Sequence, residues 1–298
     1  MNNKKIMHIN FGEIDFNSYG KRSIDDICRM AAEIGFDGVE FRGAPPQELE
    51  ALSYKEYVNQ IGEAKKKYGL SEILFGAGAW CKTACVSPDK AERDACILEA
   101  IENTKYAQEV CGSTLFNAFG GWITSNDPEV PRTEYEKHGS AVATEDDWKY
   151  TVDAYQRIGA ELVKMGARYA FETHMNYIHD LPAMAKKLVD LIDCPNVGIN
   201  MDYGNTFFFP EKPTVAETID LYGDKLFYTH LKNYTKLANG VLPGYLSDGD
   251  INHRLYLEKL SEVGYTGPIG IEAPRSGDRV WFAKQDYNYV TSLMKDIK

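Results

Sequence analysis

The feature that most constrains this chain is a rhythm. Short apolar runs with strand composition alternate with longer amphipathic stretches from one end to the other. The runs are "KIMHINF", "DGVEF", "EILFGA", "STLFNAF", "RYAFET", "NVGINMD", "LFYTHL" and "PIGIEA", each followed by a helix signal. This pattern predicts an α/β fold, a (β/α)8 or TIM barrel, rather than an open sheet. Such a barrel typically uses about 250 residues as one domain. A chain of 298 residues therefore reads as a single barrel domain over residues 1–298.

The helical stretches carry their own punctuation. "SIDDICRMAAEIG" opens with Ser23 as an N-cap and stops at Gly35, and "DKAERDACILEAIENTKYAQEVCG" stops at Gly112. The joints "EIGFDGVE", "KMGARYAFE" and "EVGYTGPIGIE" resemble one another: a helix ends in Gly and the next strand ends in Glu. That is a weak repeat at supersecondary scale. One segment breaks the rhythm. Residues 119–148, "FGGWITSNDPEVPRTEYEKHGSAVATEDDW", are too long for an ordinary loop and read as a lid after the fourth strand.

Charge narrows the function. A net charge of −11 opposes a surface built to neutralise phosphates, so nucleic acid and anionic membranes are not expected partners. No stretch approaches the roughly 20 apolar residues of a membrane span. The N-terminus "MNNKKIMHINFGEID" is polar too early for a signal peptide, and a cytoplasmic small-molecule enzyme is expected. The six cysteines are too sparse for a disulfide scaffold. The "CKTAC" spacing of Cys81 and Cys85 lacks the second pair that a zinc site needs, so it reads as incidental.

Side chains alternate across a strand, so residues two apart share a face. In the fifth run Tyr169, Phe171 and Thr173 point one way while Ala170, Glu172 and His174 point the other. The sixth, seventh and eighth runs end with Asp202, with His230 followed by Lys232, and with Glu272, all on the face opposite their apolar residues. A barrel buries the outer strand face under helices and builds its active site at the C-terminal rim. Glu172, Asp202, His230 and Glu272 should then converge. Three carboxylates so close resist burial unless a cation neutralises them. Three oxygen donors and an imidazole suit a divalent metal, with manganese expected first and magnesium, cobalt or zinc also compatible. Singly, each residue could be a loop cap or a bonded core group. Four on consecutive strands with one parity make a site.

At "FETH", "NMDYGN", "YTHLKN" and "GPIGIEA" the sequence resembles the xylose-isomerase-like superfamily of sugar isomerases and epimerases. The resemblance covers nearly the whole chain. It implies that Glu172, Asp202, His230 and Glu272 are the metal ligands, and that Glu172 and Glu272 also serve as acid and base on either side of a substrate. Two departures stand out. Epimerases of this group usually carry "DxGH" after the sixth strand, where this chain has Asn205, and they lack the imidazole of His174. The catalytic subunits of C-glycoside deglycosidases look more similar, because they pair a metal-binding Glu with a His two residues later. That resemblance implies a small second subunit in a hetero-oligomer.

The chemistry common to these readings is removal of a proton beside a carbonyl, with a metal as Lewis acid and a base within reach. Glu172 would hold the metal and His174 would take the proton, as an imidazole can near neutral pH. A 3-oxo-glycoside lyase is the first expectation, and a ketose 3-epimerase or aldose-ketose isomerase the second. Lys232 could neutralise an enolate or form a rim salt bridge. Arg275 could contact substrate or balance local acids, and Glu40 could bind sugar hydroxyls. His8 reads as a floor residue. The loop "NTFFFPEK" could hold an aromatic leaving group or cover apolar surface, and "LSDGDIN" should shape the rim. Endonuclease IV shares the barrel, but its chemistry needs more His ligands than a chain with six histidines offers, and a basic face. A scaffold subunit without catalysis would leave the quartet unexplained.

Overall fold

The computed structural model describes residues 1–11, 22–45, 52–76, 84–238, 240–272 and 275–297. Cys81 lies outside them. The strands are β1 (Lys5–His8), β2 (Gly38–Arg42), β3 (Glu72–Gly76), β4 (Leu115–Ala118), β5 (Arg168–Glu172), β6 (Val197–Asp202), β7 (Leu226–Leu231), a hairpin of β8 (Asn233–Leu237) and β9 (Gly240–Gly244), and β10 (Ile269–Ile271). Eight of them close a barrel in the order β1-β10-β7-β6-β5-β4-β3-β2. Among the described residues, the barrel pairs with a defined register are parallel, for example Ile6 with Gly38 and Tyr169 with Val197. The (β/α)8 reading of the alternating runs is thus what the chain adopts.

Contacts divide the chain into two compact units, Met1–Phe41 with Pro45–Leu74 and Tyr228–Lys298 in one, and Arg42–Ala44 with Phe75–Phe227 in the other. In the first unit, the helix Ile24–Ile34 begins at a capping box in which Ser23 accepts from the Asp26 amide and Asp26 accepts from that of Ser23. Such a cap stabilises a helix by about 1 kcal/mol. Its buried stripe is Ile24, Ile27, Cys28, Met30 and Ala31, and it ends at Gly35 with φ of 110°, where a side chain would be strained. Asp25 on its exposed side takes bonds from Lys67 at 2.7 Å and Tyr68 at 2.6 Å of the helix Tyr54–Tyr68.

In the second unit the outward face of β5 meets helices, as the alternation predicts. The Tyr169 hydroxyl lies 2.5 Å from Thr104 Oγ1 on the helix Lys90–Cys111. Phe171 packs edge-on against Tyr155 of the helix Glu145–Met165, ring centres 4.5 Å apart. Both rings are fully buried, each contributing about 1.5–3 kcal/mol by leaving water. The inward neighbours Ala170 and Glu172 are buried too, because a parallel barrel strand is covered on both faces.

The segment expected to be a lid over 119–148 ends four residues earlier. Thr144 caps the helix that starts at Glu145, with Asp147 closing a capping box. The Thr-x-x-Asp pattern is a start signal that the loop's Pro and Gly content masked. The remainder is a tied loop. Trp122 forms an antiparallel bridge with Tyr177, Ile178 donates to the Gly121 carbonyl at 3.0 Å, and Gly120 donates to His179 Nε2 at 3.2 Å. His138 is buried inside it, accepting from the Ser125 amide at 2.9 Å. Tyr135 of this loop meets Phe208 of the "NTFFFPEK" loop edge-on at 5.7 Å.

Cys28, Cys85, Cys96, Cys111 and Cys194 are buried thiols. Burial pushes the Cys85 thiol up to about 12, so it is an inert core group rather than a reactive one. Among the described residues, no helix is long and apolar enough to cross a membrane.

Candidate metal centre

Strand ends supply the centre. Glu172 is the last residue of β5, Asp202 the last of β6, His230 the next-to-last of β7, and Glu272 directly follows β10. One ligand atom from each of the four lies within 4.8 Å of all the others, and all four residues are buried. The donor set is three carboxylates and one imidazole. Burying three carboxylates together is costly unless positive charge joins them, so these residues fit a divalent cation, which they would hold through oxygen and a ring nitrogen.

Each of the four is fixed by neighbours. Glu172 accepts at both oxygens, from Asn117 Nδ2 at 2.6 Å and from Asn205 Nδ2 at 3.0 Å. Asn117 in turn accepts from Asn200 Nδ2 at 3.2 Å. Asp202 Oδ1 accepts the Asn205 amide at 3.1 Å and so caps the short helix Tyr203–Thr206. Thr173 ties the ends of β5 and β6 together, its hydroxyl accepting from the Asp202 amide at 3.0 Å.

On the other strands, Glu272 Oε1 accepts from Asn10 Nδ2 at 2.8 Å. Its Oε2 lies 3.0 Å from both Lys232 Nζ and His230 Nδ1. Burial alone would raise the Glu272 carboxyl, but Lys232, His8 and His230 outweigh it and hold the group well below the usual carboxylate range. The far side of His230 faces Glu40, whose Oε2 is 2.8 Å from Nε2 and also accepts from the Tyr228 hydroxyl at 2.7 Å. Burial opposes the charge of Glu40 as well, and His230, His8 and Tyr228 keep it below the ordinary value. His8 meets the His230 ring edge-on at 5.4 Å.

The remaining expected residues lie as follows. His174 is two residues past Glu172, half-buried beyond the strand end, its Nδ1 3.0 Å from the Met175 carbonyl. Its ring stands edge-on to Phe119 at 6.0 Å and Tyr177 at 5.5 Å. Lys232 is buried against Glu272. Arg275 pairs with Asp286 and lies between the rings of Tyr245 and Phe282, 4.5 and 4.6 Å from their centres. Asp250 and Asn252 of "LSDGDIN" are used structurally, one accepting from the Lys236 amide and the other capping the helix His253–Glu262.

Sequence reasoning missed Asn117, Asn10 and Tyr228. A polar Asn in the middle of "LFNAF" was the available signal for the first. It also missed the hairpin β8–β9, although "NG" between two short runs is a hairpin signature.

The closed parallel barrel and the carboxylate-rich cluster at its strand ends define a class: parallel α/β barrels with a cluster at the rim that could hold a divalent ion. The sequence matches the xylose isomerase-like TIM barrel family over residues 28–293, and the chain belongs to that family. Among its relatives is the inosose dehydratase of Clostridium perfringens (strain 13 / Type A), 22% identical over 275 residues, covering 87% of this chain and 85% of that protein. Similar solved structures include a xylose isomerase-like TIM barrel protein from Mycobacterium smegmatis in complex with magnesium. It has a TM-score of 0.73 and 18% identity, covering 99% of this chain and 97% of the other. The D-allulose 3-epimerase of a Methylomonas species gives a TM-score of 0.71 at 17% identity, covering 98% of both chains. At such identities the structural matches establish the fold.

Proposed function

We propose that this protein is a divalent-metal-dependent lyase acting on oxidised sugars, and specifically that it cleaves 3-oxo-glycosides by β-elimination of the aglycone. The observation that carries the reading is the placement of His174 directly beyond Glu172. With Nδ1 donating to the Met175 carbonyl, Nε2 is the nitrogen that accepts a proton. A divalent ion, manganese by first expectation, would supply positive charge to the carbonyl oxygen and an adjacent hydroxyl as negative charge develops there.

His174 removes the proton from the carbon between the carbonyl and the anomeric carbon. The electrons of that C–H bond become the new C=C bond, and the bond to the aglycone breaks with its pair leaving on the aglycone, which then takes up a proton. Glu172 is held on both oxygens by Asn117 and Asn205, and it keeps its place as a ligand while His174 handles the proton. Lys232 stands against Glu272 and adds positive charge on that side. The name of the Clostridium relative, a dehydratase of an inosose, also denotes elimination from a polyol ketone, and it supports the elimination class. The same reading includes a small second subunit as partner.

The second reading is a ketose 3-epimerase or sugar isomerase, favoured by Glu172 and Glu272 both lying in the quartet, where two carboxylates could work on opposite sides of a substrate. A proton NMR time course of the manganese-loaded protein in D2O separates the two, run in parallel with a free ketose and a 3-oxo-glycoside. Aglycone release from the glycoside is expected. Deuterium uptake with a changed stereocentre in the ketose alone would transfer the assignment to epimerase.

A further inference from the structure

We propose that Glu40 is a positioning residue for His230: it takes the hydrogen bond of the Nε2–H group and so turns Nδ1 toward the candidate cation site. This rests on the metal-centre reading above.

A carboxylate faces each ring nitrogen. Glu40 Oε2 lies 2.8 Å from Nε2, and Glu272 Oε2 lies 3.0 Å from Nδ1. A neutral imidazole has one N–H and one acceptor nitrogen. If the proton sat on Nδ1, it would point at Glu272, and no lone pair would face the cation site. Glu40 holds its side of the ring because its carboxylate is itself fixed. It is almost wholly buried, as is His230, and the Tyr228 hydroxyl donates to the same oxygen and fixes the carboxylate in place. Ligating histidines in general donate their second nitrogen to a carboxylate or carbonyl, which sets tautomer and orientation.

The ring is clamped as well as hydrogen-bonded. Tyr228 meets it edge-on at 4.8 Å and His8 at 5.4 Å. His8 and Glu40 are register partners on β1 and β2, and Gly270 is the partner of His230 on β10. A Cβ on Gly270 would come within 2.7 Å of His230 Cδ2 and 2.4 Å of the Tyr228 oxygen, so only glycine leaves room for this arrangement.

The test uses the full chain with Mn2+ as probe. Titration calorimetry should show Mn2+ binding weakened roughly 10- to 100-fold in Glu40→Ala and by less in Glu40→Gln, which keeps an acceptor oxygen without the charge. In metal-free, 15N-histidine-labelled protein, long-range 15N–1H correlation should find Nε2 of His230 protonated, and that proton lost or exchanging faster in the variants. Should Glu40→Ala fail to fold, Glu40→Gln carries the comparison, with a several-fold loss still expected. Unchanged Mn2+ affinity in the variants, or an Nε2 without its proton in the wild type, would overturn the proposal. So would a raised KM with unchanged affinity, which is the mark of a Glu40 that binds sugar hydroxyls. A wild-type chain that binds no Mn2+ would sink the metal reading and this role together. The tautomer readout needs no metal, so it tells that failure apart from a failure of Glu40 alone.

Discussion

The side-chain amide of Asn205 donates to Oε1 of Glu172 across 3.0 Å, while its backbone amide donates to Oδ1 of Asp202. One residue therefore holds two candidate ligands from adjacent strands. Asn205→Ala should leave the barrel folded and weaken Mn2+ binding by about 10-fold, because outer partners of ligands commonly contribute that much. Calorimetric titration checks it, and an unchanged dissociation constant would show that Asn117 alone suffices to hold Glu172.

His174→Ala should retain full metal content and lose at least about 100-fold in aglycone release, the usual scale of a general base. Metal analysis by plasma mass spectrometry, alongside initial rates, separates this from damage to the centre. Full turnover with full metal content would remove His174 from the mechanism.

His253 links stability to pH. It is buried with Nε2 on the Lys232 carbonyl at 3.2 Å, and its Nδ1 has no hydrogen-bond partner among the described residues. Burial pushes its pKa down to about 4 from 6.5. The unfolded chain thus takes a proton between pH 6.5 and 4 that the folded chain refuses. Stability is full above the unfolded value and falls as pH drops through that window, by about 3 kcal/mol for this group at 1.36 kcal/mol per unit. Urea titrations of wild type and His253→Gln at pH 7 and pH 4 should show the variant losing less on acidification. Parallel losses in both would place the acid sensitivity elsewhere.

Gly270→Ala should destabilise the fold by about 1–3 kcal/mol, the cost of forcing atoms into a packed site. The added carbon meets Tyr228 and His230 rather than solvent, so Mn2+ affinity should fall along with stability. Thermal unfolding and metal titration on the same sample test the pair of effects. Lost stability with wild-type affinity would mean that the ring of His230 has more freedom than the packing implies.

Much of this protein was legible in its sequence because two rules act locally. The alternation of strand-like runs with capped helices announces the barrel. The period of two along each strand puts Glu172, Asp202, His230 and Glu272 on the inward face at one rim. Neither rule depends on distant partners, and the quartet found together is the one the parity picks out. The loop after β4 is shorter than its Pro and Gly content suggests, because Thr144 with Asp147 starts the next helix locally.

What tertiary structure decided is which atom meets which. Parity says that Glu40 and His230 point inward, yet it cannot say that they meet across 2.8 Å rather than both facing a substrate. That depends on barrel closure, on register, and on the space that Gly270 leaves beside the ring. Asn117, Asn10 and Asn205 become partners of the carboxylates in the same way, from positions tens to hundreds of residues away. Hydrogen bonds are short and directional, and the side-chain period along a strand carries no information about separations set by packing between strands.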